Sequence, residues 1–285
     1  MIALTFDIET MYGSYHGKSK KGKNIEYYYL VREVEYILKL CNDMNIKATF
    51  FVVGKHINDY SKLIRKISDD GHEIASHSMT HTYLYNLDKI DIKREITDSK
   101  KVLEDTCGKN VLGFRAPAWS VGESFQEFFY DTLAEAGYKY SSSVYPGKTH
   151  LYGIPHSNPV IHKTSSGIVE FPMPSAKCFG RKVGFSGGAF YRFFPDFFII
   201  KETKSYLKNQ YPVFFYFHPY EFDINNYNFV NPLSERLLIS YNRKRLGERI
   251  KKMIEILGEP IQTMDDIVFT YFNHPDNKDL STNFL

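Results

Sequence analysis

The chain has 285 residues, 43% of them hydrophobic and 24% charged, and its formal net charge is +3. This composition is typical of a globular protein, and the charge is too small to indicate nucleic-acid binding, for which no motif is present. The longest apolar runs, 49–53 and 213–217, are far shorter than the roughly 20 residues that a membrane-spanning helix needs. The length suits one barrel-sized domain.

Cysteine usage and the N-terminus predict a compartment. Cys41, Cys107 and Cys178 are widely spaced and form no Cys-x-x-Cys motif, so neither a zinc ribbon nor a disulfide framework is indicated. Met1 leads directly into a short apolar run and then Asp7, without the basic and apolar pattern of a signal peptide. The sequence therefore predicts a cytoplasmic protein with reduced thiols and no transmembrane segment.

Strands and helices alternate through the first half of the chain. The apolar periodicity and the glycines that follow it predict the following elements: strand 2–6, a lysine-rich loop 11–23, helix 31–44, strand 48–53, a helix around 63–67, strand 72–75, helix 88–106, strand 111–114, helix 124–136 and strand 138–142. Four such β-α repeats imply parallel strands with helices outside, and their succession can close into a barrel.

The second half is less regular. Residues 145–188 predict long loops around a strand at 168–171, followed by a helix at 195–208 and a strand at 213–217. The basic amphipathic region 233–257 predicts a solvated outer helix, and a last short helix follows residue 263. We therefore expect a catalytic barrel over residues 1–272 and a flexible tail over residues 273–285.

Two histidines four residues apart, His77 and His81, follow the predicted strand 72–75. If this turn is helical, both side chains share a face and could bind one zinc-like ion. The spacing alone is a weak signal in a chain with ten histidines. It gains weight from position, because Asp7, Arg115 and His218 also follow strands. The C-terminal ends of the strands are where barrels carry their active sites.

Asp7 and Glu9 are two residues apart at the end of the first strand, so their carboxylates should project to the same face, roughly 6.6 Å apart along the chain. Such a pair also suggests a glycoside hydrolase. We set this alternative aside, because the two carboxyl groups of a glycosidase must flank the scissile bond.

Four segments in order, Thr5-Phe6-Asp7-Ile8-Glu9, His77-Ser78-Met79-Thr80-His81, Arg115-Ala116-Pro117-Ala118-Trp119 and Tyr216-Phe217-His218-Pro219-Tyr220-Glu221, resemble the polysaccharide deacetylase family, carbohydrate esterase family 4. Segments 133–146, 152–155, 170–172 and 187–192 resemble the subgroup found with bacterial exopolysaccharide loci. The resemblance implies an α/β fold, a distorted (β/α) barrel with about seven parallel strands and its active site at their C-terminal ends. It also implies removal of acetyl groups from sugars with one divalent metal ion.

The resemblance implies that His77 and His81 are metal ligands. The family's second aspartate, also a ligand, aligns with Ile8, which cannot bind metal. Glu9, one position later, is the predicted third ligand, with Asp7 as the alternative. Zinc is the expected ion, with cobalt or manganese as the other candidates.

The same resemblance implies roles in catalysis. Asp7 corresponds to the general base, Arg115 to the arginine that pairs with it, and His218 to the general acid. An adjacent cation would keep the Asp7 carboxylate ionised and oriented.

The substrate-binding residues predicted are Pro117, Ala118, Trp119, Tyr145 and Gly188. The Ala118 N–H would stabilise the oxyanion, while Pro117 and Trp119 would wall the acetyl pocket. The Gly187-Gly188 pair could let a ligand approach the backbone closely.

Ser141 departs from the subgroup, whose members usually carry an aspartate there. The charge that this aspartate supplies in the subgroup is therefore missing from the chain.

The sequence thus predicts a metal-dependent deacetylase of an N-acetylated aminosugar in a cell-surface polysaccharide, or in its lipid- or nucleotide-linked precursor. Two alternatives stay open: a deformylase or other deacylase of a carrier-linked aminosugar, and a non-catalytic carbohydrate-binding homologue. Peripheral association with the inner membrane surface and the oligomeric state are also open.

Overall fold

The computed structural model describes residues 1–9, 23–55, 57–149, 152–178, 180–222 and 240–273. Their strands are β1 Ile2–Ile8, β2 Thr49–Val52, β3 Glu73–Ser76, β4 Gly113–Phe114, β5 Tyr140–Ser141, β6 His162–Lys163, β7 Val169–Glu170, β8 Ser175–Cys178, β9 Arg181–Gly184 and β10 Val213–Phe217. Their helices are α1 Lys23–Asp43, α2 Ile57–Asp69, α3 Lys89–Cys107, α4 Gln126–Glu135, α5 Gly188–Phe193, α6 Asp196–Lys208, α7 Leu246–Leu257 and α8 Met264–Asn273.

Eight of the strands form one curled sheet in the order β10-β1-β2-β3-β4-β5-β7-β6. The first seven are parallel, and only β6 is antiparallel to its neighbour β7. This arrangement confirms the predicted barrel of about seven parallel strands. Within the described residues no hydrogen bonds join the edge strands β6 and β10, so the barrel is open there.

Side chains along β1 point alternately to the core between the sheet and the helices and to the inside of the barrel. Ile2, Leu4, Phe6 and Ile8 pack outward into the core shared with the helices, where every one of them is fully buried. Residues 3, 5 and 7 face the interior, because successive side chains in a strand point to opposite sides. A polar residue such as Asp7 is therefore directed into the barrel.

Most helices of the first half lie close to their predicted positions. Asp88 caps the start of α3 by accepting a hydrogen bond from the Asp91 N–H, and Gly108 ends the helix in a left-handed conformation. The prediction for α1 was wrong at its start, since the helix begins at Lys23 rather than at residue 31. No helix in the described part of the chain combines the length and apolarity needed to cross a bilayer.

The second half contains structure that its irregular sequence did not predict. Strands β8 and β9 form an antiparallel hairpin, and the short helix α5 follows Gly187. The continuous helix expected over 233–257 was wrong in its described part, where α7 begins only at Leu246. Residues 10–22, 223–239 and most of the predicted tail lie outside the described residues.

Candidate active site

Four predicted site residues lie at the C-terminal ends of neighbouring strands. His77 directly follows β3, Arg115 follows β4 and His218 follows β10, while Asp7 occupies the penultimate position of β1. The strands that carry them lie within the run β10-β1-β2-β3-β4 of the sheet, with β2 between the two pairs. We call this end of the barrel the rim, and the parallel register of the strands is what gathers these side chains there.

The segment that carries His77 and His81 is a loop, so the helical turn considered from the sequence is wrong. Ser78 and His81 adopt left-handed backbone conformations, with φ of 65° and 63°. These turns bring the two imidazole rings to a centroid separation of 5.0 Å. Glu95 on α3 stabilises the loop by accepting hydrogen bonds from the N–H groups of Met79 and Thr80 at 2.8 Å each.

Glu9, His77 and His81 form a candidate metal site, since one potential ligand atom of each lies within 4.8 Å of the other two. His81 Nε2 contacts Glu9 Oε2, and this buried oxygen has no other polar partner within the described residues. His77 donates its Nδ1–H to the Arg115 carbonyl at 2.9 Å, which leaves the Nε2 lone pair available. A buried carboxylate oxygen that faces one imidazole, with a second imidazole oriented beside it, fits a divalent cation bound by oxygen and nitrogen.

The ionisation of these groups also suits metal binding, which needs a carboxylate and neutral imidazoles. Burial would raise the pKa of Glu9, but the neighbouring His81, His218 and His77 lower that pKa to about 2. Burial lowers the pKa of His77 to about 4, against the opposing effect of the Asp7 charge. Near neutral pH the site therefore offers a carboxylate and a neutral His77.

Asp7 and Arg115 form a buried ion pair inside the rim. Arg115 Nη1 lies 2.6 Å from Asp7 Oδ1 and also donates to Thr5 Oγ1 at 2.9 Å. Ser142 Oγ accepts from the other side of the guanidinium at 3.2 and 3.3 Å. The second Asp7 oxygen lies 3.9 Å from His77 Nε2, so Asp7 borders the candidate metal site.

His218 faces Glu9 from the opposite side of the site. Its Nε2 lies 3.6 Å from Glu9 Oε1, while its Nδ1 is 2.9 Å from Glu221 Oε1. Burial lowers the pKa of His218, but the hydrogen bond to Glu221 and the charges of Glu9 and Glu221 outweigh it and raise that pKa to about 9. The ring can therefore carry a proton toward the site at neutral pH.

The loop after Arg115 is a 3-10 turn at Pro117–Trp119 with strained geometry. Ala118 and Trp119 have φ of 50° and 48°, which costs on the order of 1–3 kcal/mol for each non-glycine residue. The N–H groups of Trp119 and Ser120 donate to carbonyls within the turn. The Ala118 N–H is one of the first donors of the turn, which such turns leave without an internal partner.

Trp119 is the centre of an aromatic cluster beside this turn. Its ring packs edge-on against Tyr216 at 4.6 Å and lies 5.9 Å from Tyr152, which in turn contacts Tyr145 at 5.6 Å. The buried indole N–H has no hydrogen-bond partner within the described residues. The cluster supplies both an apolar wall and an unused donor.

Gly188 and Tyr145 lie behind this wall. Gly188 has φ of 52°, and a Cβ there would come within 3.1 Å of the Tyr216 hydroxyl. The Tyr145 hydroxyl donates to the Lys182 carbonyl at 3.1 Å, so it supports the β8–β9 hairpin. Both residues therefore contact the aromatic cluster or its neighbours rather than the ion pairs of the rim.

The sequence reasoning missed Glu95, Glu221 and Arg192. Glu95 is buried on the face of α3 that also carries Ile92 and Ile96, and an acidic residue in an apolar stripe is a usable signal. Glu221 lies three residues after His218, within hydrogen-bonding range of it. Arg192 ends the segment 187–192 that resembles the subgroup, but nothing in the sequence pairs it with Glu221, which is 29 residues away.

Ser141, the departure from the subgroup, lies on the opposite face of β5 from Ser142. Its hydroxyl donates to Ser143 Oγ at 2.9 Å, and Ser143 Oγ also accepts from the Ala116 N–H. Ser141 therefore supports the loop after Arg115 from behind.

A curled parallel sheet with a cluster of carboxylate and imidazole ligands at its rim defines a (β/α)-barrel protein with a candidate metal centre. Residues 1–141 match the family described as Polysaccharide deacetylase, and residues 142–267 match the family described as Domain of unknown function (DUF3473). The chain belongs to the polysaccharide deacetylase family, as its motifs predicted.

The named relatives match this chain over less than half of their own length. A chitooligosaccharide deacetylase of Rhizobium leguminosarum bv. trifolii is 37% identical over 71 residues, 25% of this chain and 33% of the relative. A peptidoglycan-N-acetylglucosamine deacetylase of Bacillus cereus is 31% identical over 103 residues, 36% of this chain and 46% of the relative. The matched segments thus span between a third and a half of these relatives.

A solved structure covers more of the chain. It comes from Mycobacterium smegmatis and is provisionally described as a polysaccharide deacetylase. Its TM-score is 0.60 at 19% identity, over 94% of this chain and 88% of the other. At this identity the likeness concerns the fold, and it supports the barrel described above.

Proposed function

We propose that the protein is a metal-dependent deacetylase that hydrolyses the N-acetyl group of an aminosugar in a polysaccharide or its precursor. The observation that carries this proposal is the convergence of three kinds of group on one rim. They are the Glu9, His77 and His81 ligand cluster, the Asp7–Arg115 ion pair and the His218 imidazole. Amide hydrolysis needs an activated water, a proton acceptor and a proton donor, and this set can supply all three.

A divalent ion, zinc by preference for this ligand set, would polarise the acetyl carbonyl and lower the pKa of a water molecule. Asp7, held in place by its ion pair with Arg115, would accept the proton of the attacking water. The Ala118 N–H donates to the developing oxyanion. His218 Nε2 gives its proton to the departing amine, and acid or base assistance of this kind contributes about 10²–10⁴-fold each.

The aromatic cluster around Trp119 fits the acetylated sugar. Trp119, Tyr145 and Tyr216 are almost fully buried, so the cluster would form the apolar wall behind the acetyl group, and the unpartnered indole N–H is a donor that a group entering this wall could use. We therefore include Pro117, Ala118 and Trp119 in the substrate site and assign Tyr145 and Gly188 to its support.

We place this activity in the cytoplasm, on a lipid- or nucleotide-linked precursor. The three cysteines are free thiols, which suits a reducing compartment. Relatives named for chitooligosaccharide and peptidoglycan support the aminosugar as the substrate class.

The test combines metal analysis with acetate release. Purified wild type, Glu9→Ala and the control Glu127→Ala, a substitution at an exposed position of α4, are analysed for zinc-group metals and assayed on N-acetylglucosamine oligomers. We expect about one ion per chain and acetate release for wild type and control, and loss of both in Glu9→Ala. A wild type that binds carbohydrate but releases no acetate, even with added zinc, cobalt or manganese, would instead establish a binding protein.

A further inference from the structure

We propose that Glu221 and Arg192 are positioning residues for His218. Both lie in the region that matches a domain of unknown function, and this region would therefore orient the proton donor. The inference rests on the proposed deacetylase function, because it concerns the group assigned as proton donor. Residues 142–267 contribute all three members, whereas Asp7, Glu9, His77, His81 and Arg115 come from residues 1–141.

Glu221 fixes the orientation of the His218 ring. The 3-10 turn at Pro219–Glu221 folds the Glu221 side chain back onto His218. Its Oε1 accepts two hydrogen bonds from that residue, one from the backbone N–H at 3.0 Å and one from Nδ1 at 2.9 Å. An ionised carboxylate can only accept, so Nδ1 carries a hydrogen and Nε2 is the nitrogen directed at Glu9. The proton exchanged with the leaving amine is therefore the one on Nε2.

Arg192 fixes Glu221 in turn. Its Nε donates to Glu221 Oε2 at 2.8 Å, and both side chains are almost fully buried, with 5% and 1% exposed. The guanidinium is itself anchored, because Nη1 donates to the Tyr241 carbonyl at 2.9 Å. Arg192 and His218 thus bind different oxygens of one carboxylate, so loss of Glu221 would release both of them.

The backbone of this turn has a second support besides Glu221. Arg243 donates to the carbonyls of Tyr220 and Glu221, which anchors the turn. The turn therefore does not depend on the Glu221 side chain alone. Removing one partner of a buried ion pair does cost stability, so the test must separate that cost from the orientation of His218.

The substitution Glu221→Gln tests this role, because an amide has only one acceptor oxygen. Arg192 is always charged and competes for that oxygen, which leaves the amide N–H₂ opposite His218 Nδ1. Two donors then face each other, and the ring must give up the Nδ1 hydrogen or rotate away. The change removes this hydrogen bond and the negative charge beside Arg192 and His218, while the side-chain volume stays almost the same.

Two substrates separate a positioning defect from a structural one. An N-acetyl aminosugar needs a proton on its leaving amine, whereas 4-nitrophenyl acetate expels its stable phenolate without one. For Glu221→Gln we expect kcat on the amide to fall about 10²-fold, with KM within about twofold, and hydrolysis of the aryl ester to stay within about twofold. Arg192→Met should follow the same pattern more weakly, and Glu221→Asp should recover part of the amide activity.

The matched control is Glu104→Gln. Glu104 also accepts from a backbone N–H, that of Val111, and pairs with a cation, Lys100, but it lies on α3 away from the rim. The substitution Glu104→Gln should leave the hydrolysis of both the amide and the ester unchanged. Equal losses on amide and ester in Glu221→Gln, or a change confined to KM, would overturn the positioning role.

A second readout does not depend on turnover. Nitrogen-15 NMR of the metal-loaded protein reports which ring nitrogen of His218 carries hydrogen. We expect a protonated Nδ1 in wild type and its loss in Glu221→Gln, and an unprotonated Nδ1 in wild type would overturn the proposal. Failure of wild type on both substrates would refute the deacetylase function, whereas the NMR result would still decide whether Glu221 orients His218.

Discussion

Buried carboxylates occur at both ends of the curled sheet, and their pKa values are shifted in opposite directions at the two ends. At the rim, burial would raise the pKa values of Glu9 and Glu221, yet His81 and His218 beside Glu9, and Arg192 and His218 beside Glu221, lower both to about 2. At the other end, which we call the floor, burial raises the pKa of Glu73 to about 7. The difference shows that the charge of the neighbours, more than burial, decides which carboxylate stays ionised.

The floor surrounds Glu73 with uncharged donors. Thr49 Oγ1 and the Tyr140 hydroxyl donate to its two oxygens at 2.6 Å each, and the Asp265 N–H donates at 3.2 Å. Tyr140 reaches Glu73 across Gly113, where a Cβ would lie 2.0 Å from the tyrosine ring. These hydrogen bonds lower the pKa of Glu73, but the nearby Asp265 charge adds to the effect of burial. The floor therefore favours a neutral acid, which suits packing, whereas the rim maintains charges that can react.

Among the substitutions considered, Asp7→Asn at the rim should cause the largest loss of activity. The amide keeps the shape but cannot accept a proton, so we expect acetate release to fall about 10²–10⁴-fold while the metal content stays at the wild-type level. Elemental analysis and an acetate assay on the same preparation measure both. Loss of the metal together with activity would show that Asp7 is a ligand, as the alternative assignment holds.

Arg115→Met tests the counter-charge at the rim directly. It leaves the buried Asp7 carboxylate without its cation, so we expect the free energy of unfolding to fall by about 3–5 kcal/mol. Urea denaturation followed by circular dichroism measures the loss. The double variant Arg115→Met with Asp7→Asn should recover part of it, and no recovery would mean that packing rather than charge explains the effect.

Glu73→Gln tests the floor through pH. A group with a folded pKa near 7 and an ordinary pKa of 4.5 favours folding below pH 4.5, and this contribution is lost as the pH rises toward 7. We expect the free energy of unfolding of wild type to decline relative to Glu73→Gln across that window, and urea midpoints at pH 4, 5, 6, 7 and 8 measure it. The control Glu135→Gln, at an exposed position, should give a stability curve parallel to that of wild type. A parallel curve for Glu73→Gln as well would show that the pKa of Glu73 is not raised by folding.

Tyr140→Phe should have the smallest effect. It removes one neutral hydrogen bond to Glu73, so we expect a loss of about 0.5–1.5 kcal/mol in the free energy of unfolding. Because that bond lowers the pKa of Glu73, its removal should also move the pH-dependent decline to higher pH. The same urea series measures this, and a shift to lower pH would contradict the role assigned to the hydroxyl.

The order of amino acids was enough to predict the repeated β-α pattern, the parallel strands and the residues at their ends. These features depend on local periodicity and on the rule that such strands carry their active groups at the C-terminal end, so Asp7, His77, Arg115 and His218 could be selected without coordinates. The motifs also identified the family. Local spacing was misleading for His77 and His81, where left-handed residues rather than a helix bring the rings together.

The charges that surround each group depend on the folded arrangement of the chain. Arg192 and Glu221 are 29 residues apart, and Tyr140 lies 67 residues from Glu73, so no local pattern could pair them. The β8–β9 hairpin and α5 were missed for a related reason, since their short segments gain stability from packing rather than from periodicity. Ionisation inside the barrel depends on neighbours brought in by distant segments, and those neighbours exist only once the chain has folded.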